Sequence, residues 1–266
     1  MHMPQLGLGT FRLQGQAAID SVRTGLELGY RHIDTAQIYG NEAEVGQALR
    51  DARVARREVF VTTKIWTEHL AAERLAPSLK DSLHKLGVEQ VDLTLIHWPS
   101  PANAVPVAEA MAALLAARDA GLTGAIGISN FPPALMREAI AAVGAANIAT
   151  NQVELHPYLQ NRALADAARA AGIHVTAYMP LAYGKVIDDQ AIRAIARQHD
   201  ATPAQVTLAW LLAKGYAVIP SSTRREHLAG NLAAARLALD AGELAALDAL
   251  DRGERLVNPD FAPAWD

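Results

Sequence analysis

Four residue types that together could place a proton on a carbonyl oxygen stand at the ends of short β-rich runs in this chain. Asp34 closes "HID", Tyr39 follows in "QIYGNE", Lys64 follows "FVTT", and His97 follows "DLTLI". A free phenol titrates at about pH 10, and a nearby ammonium stabilises the phenolate and lowers that value. Lys64 can supply the charge. A buried lysine is costly unless paired, and Asp34 can pair with it. His97 can orient a carbonyl oxygen or help pass a proton. Such a set would protonate oxygen while another species delivers hydride to carbon, and hydride requires a cofactor because no side chain carries it. Singly, each residue has a plainer use. Asp34 could cap a helix, Tyr39 could pack with a wet hydroxyl, Lys64 could be solvated, and His97 could be a satisfied core histidine.

The elements that position these residues decide between the two readings. Strand candidates fall at 6–10, 32–36, 59–65, 91–98, 124–129, 147–154, 173–179 and 216–222, with amphipathic helical stretches between them. "TPAQVTLAWLLAKG" begins with Thr202 as N-cap and Pro203 at the first helical position, and stops at Gly215. Eight β/α alternations in 266 residues predict one closed (β/α)8 barrel spanning 1–266. Extra helices are expected near 188–200 and 241–250. A doubly wound sheet is the competitor, but "GLGTFR" puts Arg12 where a dinucleotide fingerprint needs its last glycine. Barrel chemistry collects at the C-terminal ends of the strands. All four candidates belong to that rim, with Ser129, Asn130, Asn151, Gln152, Glu154, Tyr178, Ser221, Ser222 and Thr223.

Composition narrows the field. The net charge is -4 and no basic stripe appears, which argues against nucleic acid and anionic membrane as partners. Cysteine is absent, which removes disulfides, thiolate metal sites and cysteine nucleophiles. No signal-peptide core or spanning run is present, so a cytoplasmic monomer is expected. The opening "MHM" is compatible with a cloning remnant. Nine histidines show no H-E-x-x-H, and no metal site is expected.

The stretches "GLGTFRL", "HIDTAQIYGNE", "TKIW", "LIHWP", "GISNF", "NQVELHPYLQ", "AYMPLAYGK" and "IPSSTRREHLAGN" resemble the aldo-keto reductase family. They run in order from residue 7 to residue 231 and look most like the bacterial 2,5-diketo-D-gluconate reductase B type. That type is associated with 2,5-diketo-D-gluconate, β-keto esters and methylglyoxal-like carbonyls. The resemblance implies an NADPH-dependent reductase of small carbonyl compounds, with NADH as a weaker alternative. It makes Tyr39 the general acid, Lys64 and Asp34 its tuning partners, and His97 the substrate-orienting residue. Ser129, Asn130 and Gln152 would bind the nicotinamide carboxamide, and Tyr178 would stack on its ring. Leu181 and Tyr183 fall in the loop over the pyrophosphate. Ser222, Thr223 and Arg224 fall at the 2'-phosphate, and Asn231 at the adenosine end.

Some positions depart from the family pattern. Ser221 replaces a common lysine, His227 a common arginine and Gly230 a common glutamate, which leaves Arg224, with Arg225 as helper, to recognise the phosphate. The short N-terminus leaves little room for the family's β-hairpin at the barrel bottom. Phe11, Ile38, Trp66, Trp98 and Trp265 are expected to line the substrate pocket. The tail after residue 250 is short by family standards, so an open pocket is expected. Two readings from other classes stay open at this level. One is a Schiff-base barrel lyase using Lys64, which Asp34 would oppose by raising the amine's pKa. The other is a nucleotide-sensing regulatory homologue.

Overall fold

The computed structural model describes residues 3–265; Met1 and His2 of the opening stretch lie outside the described residues. Eight parallel strands follow one another in sequence order: β1 (Leu8–Gly9), β2 (His32–Asp34), β3 (Phe60–Ile65), β4 (Val91–Ile96), β5 (Thr123–Ser129), β6 (Ile148–Glu154), β7 (His174–Tyr178) and β8 (Ala217–Val218). The edges meet. Gly7 N donates to Val218 O at 2.8 Å, Val218 N to Gln5 O at 2.7 Å, and Gly9 N to Pro220 O at 3.1 Å. The (β/α)8 barrel is therefore closed, as its residue pattern predicts.

All eight expected strands form, and most are shorter than expected. β8 ends at Val218, so Ser221, Ser222 and Thr223 lie beyond the strand, past Pro220, which has no N–H to give a ladder. β2 ends on Asp34, and β4 ends on Ile96, one residue before His97. Helices alternate with the strands, with two more than the eightfold repeat needs: α1 (Gly15–Leu28), α2 (Glu42–Asp51), α3 (Ala72–Leu86), α4 (Val107–Asp119), α5 (Pro133–Val143), α6 (Arg162–Ala170), α7 (Gln190–Gln198), α8 (Pro203–Ala213), α9 (Arg225–Ala233) and α10 (Ala241–Asp248). The two extra helices are α7 and α10. In α8 the Thr202–Gln205 capping box forms, with Pro203 in the first turn, and Gly215 at φ 82° follows the helix end. α8 is apolar almost all round because α7, α9 and α10 cover what the sheet does not. Among the described residues no helix is long and apolar enough to cross a membrane.

Two apolar layers separate along each strand with period two. Ile33, Val61, Ile65 and Ile96 face the helices in the large outer core. Phe60, Leu93 and Leu95 form a small inner cluster with Met3, Ala125 and Ala149. Met3 thus packs into the inner cluster, and Pro4 O meets His32 Nδ1 at 3.2 Å. Gly127 serves the inner packing, since a Cβ there would lie 2.7 Å from Leu95 Cδ2 and 2.8 Å from Thr150 O. The inner parity climbs from His32 to Asp34, from Phe60 through Thr62 to Lys64, and from Leu93 through Leu95 to His97. Below the rim the inner positions hold the apolar cluster together with polar side chains that satisfy one another, such as His32 Nε2 with Thr62 Oγ1 at 3.1 Å and Thr150 Oγ1 with Thr176 Oγ1 at 2.8 Å. Asp34, Lys64 and His97 arrive together at the top.

Candidate active site

Register brings the four candidates to one rim. Asp34 pairs with Thr62 across β2 and β3, and Lys64 pairs with Leu95 across β3 and β4. Lys64 is 0% exposed and Asp34 1% exposed. The Lys64 ammonium forms an ion pair with Asp34 and donates to Thr35 O at 2.9 Å and to the Tyr39 hydroxyl at 3.2 Å. The second Asp34 oxygen accepts from Gln152 Nε2 at 2.8 Å. Asp34 is therefore no helix cap and Lys64 no solvated cation. A buried ion pair is retained only when hydrogen bonds meet its remaining lone pairs and protons, and both partners meet that condition here.

Tyr39 owes its place to a tied-down turn. Gln37–Tyr39 is one turn of 3₁₀ helix, closed by Gly40 at φ 67°. Gln37 accepts from Trp66 N at 2.8 Å and donates to Ser78 O at 3.2 Å, and Gln14 Nε2 donates to Tyr39 O at 2.7 Å. Asn41 Nδ2 donates to Thr10 O and Leu13 O, each at 2.8 Å. Phe11 stacks tilted on the Tyr39 ring at 5.1 Å, and His97 meets that ring edge-on at 5.6 Å.

Burial raises the Tyr39 phenol above its ordinary value, and the Lys64 ammonium pulls it back only in part. This corrects the expectation of a lowered value, because desolvating the phenolate outweighs one nearby cation. For Lys64, burial favours the neutral amine, but Asp34 and Tyr39 outweigh it and the net direction is up. Burial takes the His97 imidazole well below its usual range, with Lys64 acting in the same direction. His97 Nδ1 is buried without a partner. A proton on Nδ1 would make that orphan a buried donor, the rarer and costlier case, so the neutral ring is assigned with its proton on Nε2. The rim then holds one phenol and one imidazole N–H as donors, with a buried ammonium behind them. That is a site for an oxygen acquiring negative charge.

A pH profile follows from these directions. His97 protonates only below its ordinary range, and Tyr39 loses its proton only above about pH 10. Carbonyl reduction is expected to show a flat kcat/KM from about pH 6.5 to about pH 9.5. Initial rates across that window check it, and a break near pH 7 would remove His97 as a neutral donor.

A second polar group adjoins the first. Ser129 Oγ donates to Gln152 O at 2.7 Å, and Asn130 Nδ2 donates to His97 O at 3.0 Å. The Tyr178 hydroxyl donates to Asn130 Oδ1 at 2.8 Å. Asn130 takes φ 62°, a left-handed conformation that asparagine tolerates better than most side chains. One hydroxyl, two carboxamides and an aromatic ring fit a nicotinamide, whose carboxamide carries one acceptor and two donor hydrogens.

Other assigned residues are distributed unevenly. Leu181 packs against the outer core. Tyr183 is exposed, with its ring 4.9 Å from the Arg12 guanidinium, which also lies 5.2 Å from Phe11. Ser222, Thr223 and Arg224 stand at the start of α9, where Arg224 N donates to Ser222 Oγ at 3.1 Å. The Arg224 guanidinium is paired with Glu226 and that of Arg225 with Glu27, all at exposed positions. A phosphate there must compete with Glu226. Asn231, in the same helix α9, is buried within hydrogen-bonding reach of the Tyr30 hydroxyl.

The aromatic wall differs most from the sequence expectation. Trp66 meets His97 edge-on at 5.3 Å. Phe261, which the sequence reading missed, lies 5.8 Å from Trp66 and 5.7 Å from Trp98, and Trp265 lies 6.1 Å from Trp98. The tail is thus long enough to reach the rim and close one side, which corrects the expected open pocket. The available signal was the four-residue spacing of Phe261 and Trp265 in "NPDFAPAWD". Phe11 stays 44% and Ile38 50% exposed. Ile38 lines a cavity of about 190 Å³ with Gln37, Trp66, Glu68 and His69. A larger cavity of about 240 Å³, lined by Arg162, Arg169, Trp210 and Lys214, contains none of the rim residues. No cluster of three or more His, Asp or Glu able to hold a metal occurs among the described residues.

Comparison with known proteins matches most of the chain to one family. The model of the "Aldo/keto reductase family" matches residues 5–252. Methylglyoxal reductase DkgB of Salmonella typhimurium strain LT2 is 61% identical over 267 residues, covering 100% of both chains. Its counterpart from Escherichia coli O157:H7 is 59% identical over the same length, again covering 100% of each. Among solved structures, a protein provisionally named 2,5-diketo-D-gluconic acid reductase B superposes with a TM-score of 0.96 at 43% identity, covering 99% of this chain and 94% of its own.

Proposed function

Because the chain belongs to the aldo/keto reductase family, a family of NAD(P)H-dependent carbonyl oxidoreductases, we propose that it reduces small 2-oxoaldehydes and keto sugars of the methylglyoxal and 2,5-diketo-D-gluconate type, with NADPH preferred. The observation that carries the reading is the buried Asp34–Lys64–Tyr39 chain, with His97 beside the phenol. Support for the substrate class comes from the DkgB relatives and the diketogluconate-reductase neighbour, and from a rim narrowed by Phe261 and Trp265.

In this reading the carbonyl oxygen lies between the Tyr39 hydroxyl and His97 Nε2. When bound, the reduced nicotinamide supplies the hydride. His97 donates a hydrogen bond that aims the carbonyl and follows the charge gathering on oxygen. Tyr39 transfers its proton to that oxygen, and Lys64 stabilises the phenolate left behind. Asp34 keeps Lys64 charged and fixed in place. Ser129, Asn130 and Gln152 hold the nicotinamide carboxamide, and Tyr178 offers its ring as the stacking face. The raised Lys64 pKa disfavours a Schiff-base role, which needs a neutral amine. The direct test is NADPH oxidation at 340 nm with methylglyoxal, 2,5-diketo-D-gluconate, a β-keto ester and an aromatic aldehyde. Turnover of none of them would overturn the reading.

NADPH preference is assigned to Arg224, whose planar guanidinium matches a phosphate dianion. Arg224→Ala is expected to weaken NADPH about tenfold and NADH less than about twofold, as suits an exposed charge-assisted contact. Fluorescence titration with both nucleotides reads this. An unchanged ratio would remove Arg224 from the phosphate site.

A further inference from the structure

We propose that Glu154, to which none of the roles above falls, is a positioning residue for substrate: it latches the C-terminal tail so that Phe261 and Trp265 form the wall of the pocket. The proposal rests on the carbonyl-reductase reading of the rim. Glu154 is the last residue of β6, paired with Tyr178 of β7, and is 0% exposed. Its Oε1 accepts from Leu256 N at 2.7 Å and meets His156 Nε2 at 2.9 Å, while Oε2 accepts from Val257 N at 2.8 Å. A carboxylate is costly to bury without donors. Here two of its donors are tail backbone N–H groups about a hundred residues further along the chain.

Other anchors of the tail stop short of the wall. Arg252 N and Glu254 N donate to Tyr158 O at 3.2 and 2.9 Å. Glu254 pairs with Lys185 and Arg252, whose side chains are about half exposed, and such pairs contribute little. From residue 255 onward, hydrogen bonds from tail to barrel among the described residues reduce to three. Two end on Glu154. The third is Arg255 Nη2 to Asn161 Oδ1 at 3.0 Å, and Asn161 Nδ2 in turn donates to Glu154 O at 2.6 Å. The Arg255 guanidinium also lies 3.6 Å from the Trp265 ring centroid. The remaining tail bonds are internal, such as Ala262 N to Pro259 O at 2.8 Å and Trp265 Nε1 to Asn258 Oδ1 at 2.8 Å. Phe261 stands four residues past the latch, edge-on to Trp66 and Trp98. A carboxylate suits the role because it only accepts. A carboxamide at this position must turn one donor toward groups that themselves donate.

Glu154→Gln and Phe261→Ala, singly and together, test the latch in the full chain. Glu154→Gln is expected to lower kcat/KM for methylglyoxal roughly tenfold, through KM, with kcat within about threefold and NADPH affinity unchanged. In the Phe261→Ala background the same change is expected to cost less than about twofold, since the wall it positions is already gone. Trypsin should also cut Glu154→Gln after Arg255 faster than wild type. That readout needs no turnover, so it stands even if the carbonyl reading fails. Should Glu154→Gln not fold, Val257→Pro removes one of the same bonds from the tail side and is expected to raise KM likewise. Additive effects of Glu154→Gln and Phe261→Ala, a loss confined to kcat, or unchanged tail cleavage would each overturn the proposal.

Discussion

Tyr39→Phe is expected to lower kcat for carbonyl reduction by about 10²- to 10⁴-fold, the usual contribution of a positioned general acid. That corresponds to roughly 3–5 kcal/mol of transition-state stabilisation. The substitution removes one oxygen. Lys64 keeps its ion pair with Asp34 and its bond to Thr35 O, so no buried charge loses its principal partner. The ring keeps its contacts with Phe11 and His97. Stability should therefore change by only about 0.5–1.5 kcal/mol, the net worth of one hydrogen bond. NADPH affinity should stay within a few-fold, since Ser129, Asn130, Gln152 and Tyr178 are untouched. Single-turnover rates with NADPH, together with a fluorescence titration, measure the two quantities separately. Activity equal to wild type would exclude Tyr39 as the acid. A parallel loss of NADPH affinity would make it a binding residue instead.

The barrel and its polar rim were legible in sequence because both depend on periods that the chain displays. Strand-length apolar runs recur between amphipathic helices. In a parallel strand buried on both faces an ionisable residue is costly anywhere but at the end, while small threonines are tolerated within it, as at Thr62, Thr94 and Thr176. Asp34, Lys64 and His97 stand at such ends, and alternation by two turns them all inward. Tyr39 was harder, because it lies in a turn and only its distance from Asp34 marked it. Three features were not legible, each for its own reason. The direction of the Tyr39 pKa is a contest between burial and one cation, and sequence shows the cation but not the burial. The Arg224–Glu226 pair depends on rotamers at an exposed helix start, where several arrangements are open. The tail has no period at all. Its path is set by two N–H groups ending on Glu154, a contact across about a hundred residues, and Phe261 follows from that path.

Lys64→Met separates what the buried ion pair does for the fold from what it does for the reaction. Methionine matches the lysine stem in length and leaves Asp34 with Gln152 as its remaining side-chain donor at a site 1% exposed. Removing one member of a buried pair strands the other, and a loss of about 3–5 kcal/mol is expected. Part of this should return on acidification. The stranded Asp34 would have a folded-state pKa raised above its unfolded value, so its penalty is absent below the unfolded pKa and grows as pH rises through the folded one. Replacing both partners, Lys64→Met with Asp34→Asn, removes the uncompensated charge and should recover stability to within about 1–2 kcal/mol of wild type. Reduction should not return with it. Without the ammonium nothing offsets burial at Tyr39, the phenolate is no longer stabilised, and both variants are expected to fall at least about 10²-fold in kcat. Urea unfolding at pH 5 and pH 8, beside turnover of the same samples, resolves the two roles. If activity recovers together with stability in the double variant, Lys64 supports the barrel and has no part in tuning Tyr39.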